Sequence, residues 1–124
     1  MPGPTPTTAP APAPATATAA INAQQPCLTL INVYEVDPDR QADLADALAR
    51  ATETGIRDQP GFLSVSIHSS LDGTKVVNYA QWASKADLDA FLQRPETQAQ
   101  LRAFAGLAKS VAPSLYRVNT VHTV

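Results

Sequence analysis

Two runs of alternating residues, joined by an Asp-Gly pair, constrain the fold of this chain more than any other feature. The runs are FLSVSIHSS (62–70) and KVVNYAQWA (75–83). Alternation with a period of two is typical of β-strands whose two faces meet different surroundings. Asp72-Gly73 supplies the positive φ angle that a tight hairpin turn needs. The stretch therefore predicts an antiparallel hairpin.

The segments on either side of this hairpin complete an ordered series of elements. CLTLINVYEV (27–36) is rich in β-forming residues, and residues 37–56 have the apolar spacing of a helix. Residues 84–111 read as two helical stretches separated by Pro95, and residues 114–124 as a last strand. The order β-α-β-β-α-β is that of ferredoxin-like α+β folds.

Composition divides the chain into two parts. Residues 1–26 are almost entirely Pro, Ala, Thr and Gln, and they hold seven of the eleven prolines. Such a segment cannot bury enough apolar area to offset its ordering entropy. We therefore predict a disordered tail over residues 1–26 and one folded domain over residues 27–124.

Charge, cysteine content and hydropathy exclude several classes of function. The formal net charge is -2 and there is no basic block, so nucleic acid is not expected as a partner. The single cysteine, Cys27, excludes an internal disulfide and a cysteine-based metal cluster. No apolar run approaches the roughly 20 residues that span a bilayer, so we expect no membrane contact and a cytoplasmic location.

The predicted sheet has an apolar face that the helices do not cover. Both helical regions fall on one side in this topology, and the other side carries Ile31, Val33, Val77 and Tyr79. An apolar face of that size is rarely left exposed to water. We expect a second copy of the chain to cover it, which gives a homodimer of face-to-face sheets.

Two carboxamides and an indole fall on the face predicted to lie beneath the helices. Asn78, Ala80 and Trp82 share that face of their strand, and Asn32 lies on the neighbouring first strand. Burying an amide without partners costs about 1–3 kcal/mol. The two amides therefore indicate a polar pocket rather than a solid core. Ala80 and Ala83 are small and leave room for a flat molecule.

The chain resembles the antibiotic biosynthesis monooxygenase superfamily of dimeric α+β barrels, and most of all its cofactor-independent anthrone oxygenases. The resemblance rests on GFLSVSIHSSLDGTKVVNYAQW (61–82), with its Gly-Phe opening, its Asp-Gly hairpin and NYAQW, and it extends over most of residues 28–124. It implies an oxygenase that converts an anthrone-type aromatic polyketide to a quinone with O2. No flavin, haem or metal cofactor is implied.

The resemblance also implies which residues act. Asn78, Trp82 and Asn32 would be the catalytic residues, and we assign no general base. The predicted substrate-binding residues come from the last helix, from the face that carries the amides, and from the rim of the pocket: Arg102, Tyr34, Ala80 and His68. One branch of the family uses a Tyr shortly after the Trp, where this chain has Leu88.

Other functions compete with this interpretation. Haem-degrading relatives need a haem-ligating His on the helix after the Trp, and residues 84–94 contain none. A polyketide cyclase of related fold would act without consuming O2, and a non-catalytic dimeric binding module would keep only the pocket. Trp82 beside a structural Asn78 in an ordinary core is the remaining alternative.

Overall fold

The computed structural model describes residues 17–24 and 26–124. Within these residues the chain forms one four-stranded antiparallel sheet and three α-helices. The elements are β1 (Leu28–Glu35), α1 (Gln41–Thr54), β2 (Phe62–Ser69), β3 (Lys75–Trp82), α2 (Lys85–Leu92), α3 (Pro95–Gly106) and β4 (Ser110–Tyr116). Single turns of 3₁₀ helix at Pro38–Arg40 and Ile56–Asp58 flank α1.

The strand order β2-β3-β1-β4 confirms the ferredoxin-like α+β fold. The central pair β1 and β3 sets Asn32 directly opposite Asn78, and β4 sets Pro113 on the other side of Asn32. The predicted end of the last helix near residue 111 was wrong, because α3 ends at Gly106 and β4 begins at Ser110. Pro113 lies inside this edge strand, where its missing N–H removes no bond from the interior of the sheet.

The core forms where the helices cover the sheet. Leu44 and Leu48 of α1 are buried against Tyr34 and Val76 in one cluster. These α1 positions are four residues apart, so both side chains lie on the same side of the helix. A second cluster surrounds Trp82 at the opposite end of the central strands. The space between the two clusters is where the amides lie.

Side-chain hydrogen bonds stabilise the predicted hairpin turn and the start of α2. Gly73 has φ 81°, which confirms the tight hairpin. Asp72 Oδ1 accepts bonds from the Thr74 hydroxyl, the Thr74 backbone N–H and the Ser70 hydroxyl, and these bonds lower the pKa of Asp72 to about 2. Ser84 Oγ accepts a bond from the backbone N–H of Asp87 at 3.1 Å, so it caps α2.

A second glycine with positive φ opens the hairpin. Gly61 has φ 82°, and its carbonyl accepts a bond from the backbone N–H of Ala83 at 2.7 Å. A Cβ atom at Gly61 would collide with the side chain of Asp87. The Gly-Phe pair that precedes β2 is therefore needed to bring the start of β2 against the start of α2.

The face of the sheet away from the helices is partly exposed to solvent in a single chain. Ile31, Val33, Val77 and Tyr79 lie there and are all partly exposed. At one corner Gln81 is 5% exposed, and its Nε2 donates to the carbonyl oxygen of Ala20 at 2.9 Å. We call this surface the open face.

The division at residue 26 stays a prediction. Of the predicted tail, residues 1–16 and 25 lie outside the described residues. Residues 17–24 are described, and one of them contacts the open face through Gln81. No helix within the described ranges has the length and apolarity to cross a membrane.

Candidate active site

A cavity of about 330 Å³ separates the sheet from the helices. Its floor consists of helix-facing side chains of all four strands, and its walls come from the three helices and the 3₁₀ turn after α1. Most of the lining is apolar, and the polar groups in it are few. This is the usual make-up of a site for a small organic molecule, in which isolated polar groups fix the orientation of an apolar ligand.

The two carboxamides lie side by side on the floor of the cavity. Asn32 and Asn78 are directly opposed across an antiparallel pair, so their Cβ atoms are about 4.5–5.5 Å apart. Asn32 is 8% exposed. In the described part of the chain, Thr29 Oγ1 is the one fully buried side-chain polar atom without a partner. The two amides have no protein partner there, and they are open to the cavity and free to bond a ligand.

Trp82 forms the end wall of the cavity. Its ring meets Phe62 edge-on, with centroids 5.8 Å apart, and stacks on Phe91 at 4.9 Å with 28° between the planes. Only 1% of Trp82 is exposed. Four residues along a strand place it about 13 Å from Asn78, so the indole and the amides contact different parts of one ligand. Ala80 lies between them on β3, and its small side chain leaves space for a ligand above the sheet.

Tyr34 lies on the floor beyond Asn32, away from Trp82. It is 2% exposed, and burial raises the pKa of its phenol above the usual 10.0. The phenol is therefore protonated at neutral pH. A neutral Tyr can donate a hydrogen bond to an oxygen of a ligand but cannot serve as a base.

Five of the seven predicted site residues line this one cavity. They are Asn32, Tyr34, Asn78, Ala80 and Trp82. The structure brings them together because positions two apart on a strand project to the same face, and the register of β1 against β3 aligns the two sets.

The structure does not bring His68 and Arg102 to the cavity. His68 opposes Val77 on the open face and is exposed, because it shares the parity of the outward side chains of β2. Arg102 is exposed on α3 and follows Leu101, which does line the cavity. Successive side chains on an α-helix differ in direction by about 100°, so Arg102 points away from the cavity that Leu101 lines.

Three polar residues of the helices line the cavity and were missed from the sequence. They are Thr52 of α1 and Thr97 and Gln100 of α3. Thr97 is 2% exposed. A signal existed, because Thr97, Gln100, Leu101 and Phe104 follow the i, i+3, i+4, i+7 spacing of one helix face.

The polar groups of the cavity are all neutral. They are amides, hydroxyls, a phenol and an indole N–H, with no carboxylate or imidazole among the lining residues. The described residues contain no group of three His, Cys, Asp or Glu side chains placed to hold a metal ion. Such a cavity can bond and orient a ligand oxygen and stabilise negative charge on it, but it provides no strong base.

Comparison with known proteins identifies the family of the chain. The family model described as antibiotic biosynthesis monooxygenase matches residues 27–103. Tetracenomycin-F1 monooxygenase of Streptomyces glaucescens is 46% identical over 78 residues, which are 63% of this chain and 70% of that protein.

Two solved structures share the fold over most of the chain. A monooxygenase from the gene ActVA-Orf6 of Streptomyces coelicolor, in complex with nanaomycin D, superposes with a TM-score of 0.70 at 29% identity, over 78% of this chain and 91% of that one. An anthrone oxidase-like protein gives 0.74 at 25% identity, over 80% of this chain and 42% of that one. The family match and the curated relative show that the chain belongs to the antibiotic biosynthesis monooxygenase family and is an enzyme of that oxygenase class.

Proposed function

We propose that this enzyme is a cofactor-independent monooxygenase that oxidises an anthrone-type aromatic polyketide to a quinone with O2. The observation that carries the proposal is the pair of unpartnered carboxamides, Asn32 and Asn78, on the floor of an otherwise apolar cavity. The relatives named for tetracenomycin F1 and for anthrone oxidation support the same substrate class.

The reaction balances without any further reactant. An anthrone has an activated methylene, and loss of one proton gives an aromatic enolate whose charge lies largely on the carbonyl oxygen. The enolate transfers an electron to O2, and the two radicals join to form a carbon–oxygen bond. The resulting peroxide loses water. One oxygen atom of O2 becomes the second quinone carbonyl and the other leaves in water, so the substrate itself supplies the electrons.

The amides act on the step that creates charge. Asn78 and Asn32 donate N–H groups to the oxyanion of the enolate, and the neutral phenol of Tyr34 is a third donor within the same cavity. Donors that are already in place when charge develops need no reorganisation. They therefore favour the enolate over the neutral anthrone and promote loss of the methylene proton to water.

The indole and the small floor residue position the ring system. Trp82 is held between Phe62 and Phe91, and its side chain lines the cavity. Ala80 leaves the space in which a flat polycycle can lie. Fixing the ring in one pose turns a bimolecular encounter with O2 into a reaction at a defined carbon.

We also propose that the enzyme is a homodimer through its open face. The partly exposed Ile31, Val33, Val77 and Tyr79 form an apolar surface on a sheet whose other side is covered by the helices. Burial of such a surface against a second copy removes it from water. Sedimentation at micromolar concentration is expected to give twice the chain mass, and a single-chain mass would contradict the dimer.

Oxygen uptake with emodin anthrone tests the activity. The enzyme is expected to consume one molecule of O2 per molecule of anthrone, after dialysis against a chelator and without added flavin. Trp82→Phe should slow uptake because it keeps an aromatic ring but removes the N–H. His68→Ala, on the open face, is the matched control and should not.

Each other outcome favours a different function. Saturable binding without uptake would make the protein a binding module. Aldol cyclisation of a polyketide without uptake would make it a cyclase. Equal uptake in the enzyme and in Trp82→Phe would contradict the role of the indole.

A further inference from the structure

A second, smaller cavity of about 120 Å³ adjoins the first. The two cavities share the side chains of Ile56, Phe91, Thr97 and Gln100 as a common wall. The wall consists of side chains from three different elements, the 3₁₀ turn after α1, the end of α2 and the first turns of α3. Because the same four side chains line both spaces, the two cavities lie next to each other, and a ligand in the main cavity would reach the second one by displacing these side chains.

The two cavities differ in chemistry. The main cavity is mostly apolar, whereas the second adds Gln59, Arg94 and Glu96 to the shared wall. Arg94 Nε lies 3.5 Å from Glu96 Oε2, so the two charges largely offset each other. The second cavity therefore provides amide and hydroxyl partners without a net charge. A neutral hydrogen-bonding group fits these partners better than a carboxylate or an ammonium group.

The position of Phe91 links this second cavity to the proposed reaction. Phe91 stacks on Trp82 and also lines both cavities. An aromatic ligand that contacts Trp82 is therefore next to the shared wall. If the carbonyl oxygen of the central ring bonds Asn78, the part of the ligand near the wall belongs to an outer ring.

We propose that the second cavity is a subsite for a hydroxyl or carbonyl substituent on an outer ring of the substrate, and that Gln100 selects it. Gln100 is half-buried in the shared wall, and its amide can both donate to and accept from such a group. The inference rests on the proposed function for the class of ligand. It names a specificity-determining residue rather than a catalytic one.

Binding of two quinones tests the subsite without any turnover. Emodin and chrysophanol are products of the anthrone class that differ by one ring hydroxyl. Trp82 is the only tryptophan of the chain and lines the main cavity, so quenching of its fluorescence reports binding directly. Isothermal titration calorimetry provides an independent Kd. The enzyme is expected to bind emodin more tightly than chrysophanol.

Gln100→Leu should remove this preference. We expect its Kd for emodin to rise about two- to tenfold, the effect of one hydrogen bond, with the Kd for chrysophanol within about twofold. Gln98→Leu is the matched control, because Gln98 is an exposed glutamine of the same helix that lines neither cavity. Thr97→Val is a second variant that removes a hydroxyl from the shared wall at nearly constant shape.

Equal weakening of both quinones by Gln100→Leu would overturn the subsite, as would a wild-type enzyme that binds both equally or neither. The oxygen-uptake assay keeps this result separate from the proposed reaction. Uptake with emodin anthrone but no change of preference in Gln100→Leu would refute the subsite alone. A change of preference without uptake would support the subsite and refute the oxygenase.

Discussion

Replacing Asn78 by leucine should abolish most of the activity without destabilising the enzyme. Leucine keeps the branched shape of the side chain but removes both polar atoms from the cavity floor. The Asn78 amide has no protein partner in the described structure, so its replacement leaves no buried donor or acceptor unsatisfied. Replacement of an unpartnered polar group by an apolar one is nearly neutral or stabilising. We expect the free energy of unfolding to fall by less than about 0.5 kcal/mol or to rise.

The activity of Asn78→Leu should change far more. Loss of one preorganised oxyanion donor costs about 10²–10³ in kcat, which corresponds to about 2.7–4 kcal/mol. Oxygen uptake with emodin anthrone gives kcat, and denaturation in urea gives the free energy of unfolding. If Asn78→Leu lost more than about 2 kcal/mol of stability, Asn78 would be a structural residue and the reasoning would be refuted.

A second substitution on the same strand should have the opposite effects. Gln81 projects to the open face, where it accepts a bond from Ser64 Oγ at 2.7 Å and donates to the carbonyl of Ala20. Gln81→Leu loses both bonds, at about 0.5–1.5 kcal/mol each. It should therefore destabilise the protein by about 1–3 kcal/mol and leave kcat unchanged. Loss of activity in both variants would show that the assay reports folding.

Three further predictions concern titration and the surface. Burial raises the pKa of Tyr34 in the folded state, so the stability that Tyr34 contributes is fully present below pH 10.0 and is lost as the pH rises further. The difference in unfolding free energy between the wild type and Tyr34→Phe should therefore fall in urea titrations at alkaline pH. Asp72 should behave in the opposite sense, because folding lowers its pKa from 3.8 to about 2. The stability that Asp72 contributes is present above pH 3.8 and is lost towards pH 2. Thermal melts of Asp72→Asn should lack this acid-dependent loss of stability. Arg102→Ala and His68→Ala should leave kcat/KM for emodin anthrone within about twofold, since neither residue lines the cavity, and a tenfold loss in either would return that residue to the site.

The hairpin and the parity of its strands account for most of what the sequence could predict. Asp72-Gly73 fixes the turn, and a fixed turn determines which side chains of β3 share a face. That parity predicts that Asn78 and Trp82 share one face of β3. The apolar residues that share a face of β1 with Asn32 predict that this face lies beneath the helices. Strand parity is reliable here because the period is two, and a shift of one residue would expose the whole apolar set.

The parts that failed depend on longer-range geometry. The sequence predicts the last helix to about residue 111 and the last strand from residue 114, but tertiary pairing with β1 makes residues 110–116 the edge strand. His68 has the outward parity of Ser64 and Ser66, and no local feature of the sequence says which parity of β2 faces the helices. The contributions of α3 to the cavity depend on how that helix is rotated over the sheet, so Gln100 and Arg102 could not be told apart without the packing.

The structure of the enzyme in complex with emodin tests the central claim most directly. We expect the ring system to lie between the sheet and the helices, in contact with Trp82. A quinone oxygen should lie about 2.7–3.2 Å from the carboxamide nitrogen of Asn78. Emodin bound on the open face, or in the cavity with its oxygens directed away from Asn78 and Asn32, would contradict the claim that the amides stabilise the enolate.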